Sequence, residues 1–534
     1  MTENVNPLAA ALVLPPTPGT EAEVALMFAT ESLQGRYVHT TTLGWLMDDG
    51  QRWKPVADKT AREAARQWVA SVVNQALRVE LRARENGDQP TASAAASVAV
   101  MWRRYETAAK LSNLVSLASA IDGVAGDATD FDSHPDLLNT PSGVVELETG
   151  ALLPYESRYK FTKMTGVAYV PGAQHNDWRV ALQAIPKDTL AYMQLRFGQA
   201  ITGYHVNDDT VFFGTGGGAN GKSTLYQGAM GAMGDYAVII NDVLIGSEAD
   251  KQHPTEIVDL FGARLALIEE LPEGKHLSIR AIKNLTGSQL KGRRMHKDPI
   301  TFNASHSLFV NANYLPMVSE TDLGTWRRLL RLHFPYTFRK PFDYDRLAEP
   351  RVTDRRGDTG LRDRIKDGGN GLWEAILAWL VEGAVRWYQG EEGREPMSLG
   401  EPSQRVIQDS EAWQERANPL VAYAKEYLTP DPGRHVHADT VTANINAFIE
   451  GRGHHRWSAP VINERLAAYF AAQGVDVEKK KVKKSAKLST LIADADVQPS
   501  YQAWVGLRWR NPLDDVEMAK MAESTTGETA REVH

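Results

Sequence analysis

The chain has 534 residues, no cysteine, 43% apolar and 24% charged residues, and a formal net charge of −8. That length allows about three or four domains with large cores, and the lack of cysteine excludes disulfides, Cys-ligated zinc and thiol catalysis. The acidic balance means that any nucleic-acid contact must come from local basic patches.

Residues 1–20, with four prolines, read as a flexible tail. The apolar stretch Leu8–Leu14 has no Lys or Arg before it and runs into Pro15 and Pro16, which makes a poor signal peptide. No segment approaches the ~18 uncharged apolar residues of a membrane span. A soluble cytoplasmic protein with no membrane partner is expected. Residues 21–179 form a mixed α+β region, with helical patterns at Thr60–Glu85 and Ser93–Ile121. Strand-like runs follow at Gly143–Leu147, Ala151–Tyr155 and Gly166–Val170, the first two joined by a hairpin-type turn at Glu148–Gly150. Residues 180–342 alternate short β-type runs (Thr210–Phe213, Arg264–Ile268, Ser307–Asn311) with helical segments, the mark of an α/β layer architecture. Residues 343–400 begin with a charged stretch, Asp343–Asp367, that reads as a solvated linker, and continue with an amphipathic helix at Leu372–Tyr388. Residues 401–511 show helical patterns at Asn418–Leu428, Thr440–Ile449 and Pro460–Gln473, a lysine-rich stretch at Lys479–Lys487 and a strand at Ala503–Trp509. This order reads as a winged-helix-like module, and its lysines with Trp504, Arg508, Trp509 and Arg510 suit DNA contact. Residues 512–534 read as a disordered tail.

The most informative segment is Val211–Thr224, where a β-type run breaks into glycines and ends in Gly-Lys-Ser-Thr. Gly216 and Gly221 stand at the spacing of a phosphate-binding loop, and strand, loop and helix follow in the order this motif requires. Gly216, Gly217, Gly218, Asn220 and Gly221 let backbone N–H groups converge on a polyphosphate, and the helix opening near Ser223 and Thr224 aims its positive end at the same anion. Lys222 is placed to neutralise the β/γ-phosphates and Ser223 to hold Mg²⁺, so ATP and Mg²⁺ are the expected ligands.

Hydrolysis also needs a carboxylate at the end of a buried strand. Arg264–Ile268 leads into Glu269 and Glu270, with Glu270 suited to activating water and Glu269 to lying near the metal. A second apolar strand leads into Asn311-Ala-Asn313, where an amide at the strand tip, Asn313, is suited to sensing the γ-phosphate. Arg327 and Arg328 precede Phe334-Pro335, and an arginine there could reach a neighbour's nucleotide. Lys291–Lys297 is a dense basic patch able to engage phosphates without reading bases. The loop acids Asp127, Asp130 and Asp132, and the pair Asp48–Asp49, do not read as a two-metal polymerising site.

Taken in order, these parts resemble the superfamily 3 helicases, in particular the phage, plasmid and poxvirus primase-helicase group. The resemblance is carried by Gly216–Thr224 with Asn220, by Arg264-Leu265-Ala266 with Glu270, and by Lys283-Asn284-Leu285-Thr286-Gly287. It extends to Arg294, to Asn313 with Pro316, and to Arg327-Arg328-Leu329 before Phe334. Upstream, Leu138-Asn139 through Gly143–Gly150 is similar to the helicase-associated region of that family. Ser288-Gln289 stands where the family has Gly-Asp. The resemblance implies a P-loop, AAA+-like core, a DNA helicase acting in replication of a phage or other mobile element, and a ring, with a hexamer expected; the alternative readings are a DNA-stimulated P-loop ATPase that does not unwind, or an origin-binding replication initiator that uses ATP for assembly. It further implies ATP between neighbours with Arg328 donated in trans. Lys283, Arg294, His296 and Lys297 would contact single-stranded or forked DNA, and any primase would be a separate partner.

Overall fold

The computed structural model describes residues 13–205, 209–247, 256–293, 299–318, 323–451, 455–471, 473–483 and 500–510. Helix α1 (Glu21–Phe28) opens on a capping box between Thr20 and Glu23. An antiparallel meander of β1 (Tyr37–Thr40), β2 (Gly44–Asp48) and β3 (Trp53–Val56) follows, which the sequence reading did not anticipate. Helix α2 (Asp58–Glu85) matches its expected span. The single pattern at Ser93–Ile121 is two helices, α3 (Gln89–Arg103) and α4 (Ala108–Ala118). The Thr107 hydroxyl accepts from the Lys110 N–H and so starts a fresh helix. Part of the segment read as a tail is docked. Trp102 Nε1 donates to the Pro16 carbonyl at 2.9 Å and Gln75 Nε2 to that of Val13 at 2.8 Å; residues 1–12 lie outside the described residues.

Strands β4 (Leu137–Thr140), β5 (Gly143–Glu146) and β6 (Ala151–Leu153) form a small antiparallel sheet with the expected turn at 148–150. Gly166–Val170 is not a strand. The Thr165 and Gly166 N–H groups donate to Asn139 and Ala232 carbonyls, single anchors in place of a ladder. Helix α5 (Asn176–Leu182) runs across the boundary expected between residues 179 and 180, and α6 (Leu190–Ala200) follows.

The central layer comprises β7 (Val211–Thr215), α7 (Lys222–Met233), β8 (Ala237–Ile239) and β9 (Leu265–Ile268). It continues with α8 (Ile279–Leu285), the hairpin β10 (Gln289–Gly292) and β11 (Ile300–Asn303), β12 (Ser307–Ala312), α9 (Leu323–Trp326) and β13 (Leu329–His333). The five parallel strands lie in the order β13-β7-β12-β9-β8. Every residue of β7, β9 and β12 is buried, as expected for a sheet covered on both faces. The chain leaves β7 toward one edge through α7 and β8 and returns at β13 on the other side. β7 thus flanks a topological switch point, where ligands of open α/β sheets bind beyond the carboxyl ends of the strands.

The stretch Asp343–Asp367 is not a solvated linker. It lies among β14 (Thr337–Arg339), α10 (Pro341–Tyr344), β15 (Asp354–Arg356) and α11 (Leu361–Asp367). Its mixed charges find one another: Arg339–Asp354 at 2.7 Å, Arg356–Asp345 at 3.0 Å and Arg364–Asp177 at 2.6 Å. Helix α12 (Leu372–Gln389) packs along α6, where a Cβ on Gly198 would lie 2.0 Å from the Gly383 carbonyl carbon. Its Ile376, Leu380 and Ala384 join Trp178, Phe212 and Leu225 in one core, so residues 372–389 belong to the central body.

The C-terminal region comprises α13 (Gln404–Ala417), α14 (Pro419–Tyr427), β16 (Leu428–His437), α15 (Ala438–Gly451) and α16 (Ala459–Ala471). It closes with β17 (Glu478–Lys483) and β18 (Ser500–Trp509), and the antiparallel sheet order is β16-β18-β17. Strand β16 was not anticipated because it carries Pro430 and Pro432; its register shifts between Pro430 and His435. Residues 511–534 lie outside the described residues. Among the described residues, no helix is long and apolar enough to cross a membrane.

Candidate functional site

The loop after β7 is built on one sharp turn. Gly216 has φ +145°, and a Cβ there would lie 2.6 Å from Asn220 Nδ2 and 2.7 Å from the Phe334 carbonyl oxygen. Only glycine fits. Asn220, buried, then ties the loop from inside: Nδ2 donates to the Gly217 carbonyl, and Oδ1 accepts from the Lys222 N–H at 3.4 Å. The Phe338 N–H donates to the Ala219 carbonyl at 2.7 Å and holds the loop from outside. Gly217 and Gly218 stay exposed with open space above them. Gly221 is the N-cap of α7, whose first N–H groups have no partner within the helix and face the loop.

Lys222 is the first residue of α7 and only 2% exposed. Its Nζ donates to the Gly216 carbonyl at 2.8 Å, and burial pushes the amine down to about 8. Among the described residues the amine has no carboxylate partner. A polyphosphate seated in the loop would supply the charge it lacks, and the open space over Gly217 and Gly218 fits such a group. Ser223 and Thr224 follow, both half-buried.

The parallel register brings the other strand ends to the same edge. Asn311 pairs with Gly214, and Val310 pairs with Ile268, so Glu269 comes level with Asn311. Asn311 is buried, and its Nδ2 donates to Ser223 Oγ at 3.2 Å. Asn313, the amide expected to act there, is exposed beyond the strand tip. Glu269 is half-buried and Glu270 exposed at the end of β9. The sequence offered both asparagines; only the register separates them.

Behind the loop lies a group that sequence reasoning missed. On β13, Arg331 Nε donates to Thr215 Oγ1 at 2.9 Å and its Nη1 to the Asp409 carbonyl at 3.1 Å. The His333 N–H donates to Asp409 Oδ2 at 2.7 Å, and the Arg331 N–H to Ser410 Oγ at 2.9 Å. Burial first, and the Arg331 charge second, hold the His333 imidazole below its usual range. Helix α13 therefore grips the strand beside the loop. Nothing in its amphipathic pattern names the strand it covers.

The remaining candidates are dispersed. Arg328 is bound within its own chain, Nη2 to Asp209 at 2.7 Å and Nη1 to the Gly324 carbonyl at 2.6 Å, whereas Arg327 is exposed. Lys283 is exposed in the last turn of α8. Arg294, His296 and Lys297 lie outside the described residues, between β10 and β11 in the sequence. Arg264, part of the motif before Glu270, is at the opposite edge of the sheet. Its buried guanidinium donates to carbonyls of Ile201, His134 and Leu137 and stacks on Tyr236 at 4.7 Å. It staples the N-terminal region to the sheet. In the C-terminal module Trp504 is buried in the core, so it offers no exposed aromatic face. Arg508 faces Asp431 at 3.5 Å, and Arg510 donates to the Lys425 carbonyl. Lys480, Lys481 and Lys483 are exposed on β17. The loop acids have local partners: Asp127 caps a turn at Thr129, Asp130 pairs with Lys160 at 2.7 Å and Asp132 holds Thr162.

Comparison with known proteins adds three findings. Residues 25–185 match the family described as D5 N terminal like, and residues 214–328 match a family of unknown function, DUF5906. An African swine fever virus protein named as a primase is 25% identical over 277 residues, 49% of this chain and 28% of that protein. An Acanthamoeba polyphaga mimivirus protein named as a helicase is 25% identical over 180 residues, 33% of this chain and 19% of that protein. The chain thus spans less than a third of the length of these curated relatives. Among solved structures, the C-terminal region of NrS-1 aligns over 63% of this chain and 77% of that one, with 11% identity and a TM-score of 0.37. The chain is a mixed α/β protein related to viral proteins of the primase and helicase kind.

Proposed function

We propose that the chain is an ATP-dependent DNA helicase of the superfamily 3 type, acting in replication of a phage or other mobile element. The observation that carries this reading is the convergence at one sheet edge of an open glycine loop, a buried lysine with no carboxylate partner among the described residues, and the ends of β9 and β12. Lys222 binds the triphosphate as a cation, and the loop N–H groups orient it. Ser223 with Glu269 would hold Mg²⁺, which when bound supplies charge neutralisation at the phosphates. Glu270 orients water for attack, and Asn311 or Asn313 fixes the strand tip against the terminal phosphate. The helix–strand–helix–helix–strand–strand order of residues 419–509 supports a winged-helix reading of the C-terminal module. In an AAA+-like ring, a hexamer in the simplest case, Arg328 would exchange Asp209 for a neighbour's nucleotide. The hairpin arginine and its neighbours would follow one DNA strand, and a cytoplasmic setting with a separate primase fits this role.

Lys222→Ala tests the reading at its centre. Phosphate release should fall on the order of 10²-fold or more, the scale of losing one charge-stabilising group, and displacement of a forked strand should stop with it. Normal turnover in that variant excludes the site. Normal DNA-stimulated turnover without strand displacement in the unaltered chain would leave an ATPase and remove the helicase.

A further inference from the structure

A cleft of about 420 Å³ lies between the central sheet and the C-terminal module. That is within the roughly 300–1,000 Å³ range of ligand sites. One wall is the chain after β12, around Pro316, with His276 beside it; the other carries Arg416, Asn418, Trp457 and Arg465. Among the described residues, no carboxylate lines it. Arg416 is exposed and has no hydrogen-bonding or ionic partner among the described residues. Arg465 lies over the Trp457 ring, its guanidinium carbon 4.3 Å from the ring centroid. Trp457 is held in place: its N–H donates to Asn446 Oδ1 at 2.8 Å, and Asn446 Nδ2 donates back to its carbonyl at 3.1 Å.

Asn418 supplies the independent observation. It is 2% exposed, and its Oδ1 caps α14 by accepting from the Leu420 N–H at 3.1 Å. Its Nδ2 is buried with no acceptor among the described residues. A buried donor without a partner is costly unless something else completes it. Two arginines with no carboxylate partner among the described residues, an unfilled amide donor and an indole with a guanidinium over it select an anionic group joined to a flat ring. From this arrangement we infer that the cleft binds one nucleotide unit of a single-stranded nucleic acid. Arg416, Arg465 and Asn418 Nδ2 hold its phosphodiester, and the base stacks on the Trp457–Arg465 plane. This site shares no residue with the segment between β10 and β11 or with the lysines of β17, and its choice of strand over free nucleotide rests on the helicase reading.

The test is anisotropy of a labelled oligo(dT) with the full chain over a range of salt. The double variant Arg416→Ala/Arg465→Ala should bind at least about tenfold more weakly, and the slope of log affinity against log salt should flatten by about 0.7 for one lost phosphate contact. Asn418→Asp keeps the capping oxygen of α14 while replacing the free donor with a carboxylate, so it should fold and bind about tenfold more weakly. Thermal melts confirm that each variant folds. Unchanged affinity and slope in folded variants overturn the cleft site and leave the helicase reading standing. Failure of the unaltered chain to bind oligo(dT) at all sinks both. Displacement by dTMP, inorganic phosphate or an acidic peptide as effective as by oligo(dT) also overturns the strand assignment.

Discussion

Lys222 makes a pH-dependent prediction through its burial. The amine is held down to about 8, so it is charged below that pH and neutral above it. A bound triphosphate favours the charged form, so ATP binding near about pH 8.5 should draw a proton from solvent. Calorimetry in buffers of different ionisation enthalpy should show this uptake at about pH 8.5 and little of it at about pH 7; identical heats in all buffers would refute it. The free chain follows the opposite course. Its unfolded lysine keeps the proton up to about 10.5, so stability rises with pH between the two values. Asn311 supports a second prediction. Asn311→Ala removes the donor to Ser223 and should lower kcat about tenfold, the order of one positioning hydrogen bond. Asn313→Ala in the same assay shows whether the exposed neighbour matters as well, and a loss confined to Asn313→Ala would return the role to it.

At the scale of elements, the α6–α12 crossing depends on Gly198 and Gly383 touching backbone to backbone. Gly198→Ala should destabilise the chain by roughly 3 kcal/mol, the upper range for overpacking, read as a lowered midpoint in denaturant. An unchanged midpoint would mean that the helices part freely. The elements also show what the sequence made legible. β7, β9 and β12 were found to within two residues because their apolar runs are buried on both faces, and α2 because its apolar stripe keeps one period over its whole length. The break between α3 and α4 was missed because one capping hydroxyl, Thr107, decides it inside a continuous helical pattern. β16 was hidden by its prolines, and the segment of mixed Arg and Asp was read as solvated because pairs such as Arg364–Asp177 join residues far apart in the chain. The glycine loop was legible residue by residue. Asn311 over Asn313, and the grip of Asp409 on His333, depend on which strands become neighbours, and no local pattern carries that.

For the whole molecule, the Arg328–Asp209 pair frames the question of assembly. Arg328→Ala should lose hydrolysis and recover part of it when mixed with Lys222→Ala subunits, which contribute the arginine but no working loop. Recovery for Arg327→Ala alone would move the role to the exposed neighbour, and no recovery for either would mean that each chain completes its own site. Helix α13 has a mechanical consequence. It is fastened to the strand beside the loop through Asp409 and Ser410, and its Trp413 is buried against Phe213 at 4.8 Å. It therefore travels with the sheet, and the helical path to the terminal domain breaks at Asn418, where α13 ends and α14 begins. A swing about that joint would widen or narrow the gap beside Arg416 while leaving the phosphate cradle undistorted, as a door turns without disturbing its frame.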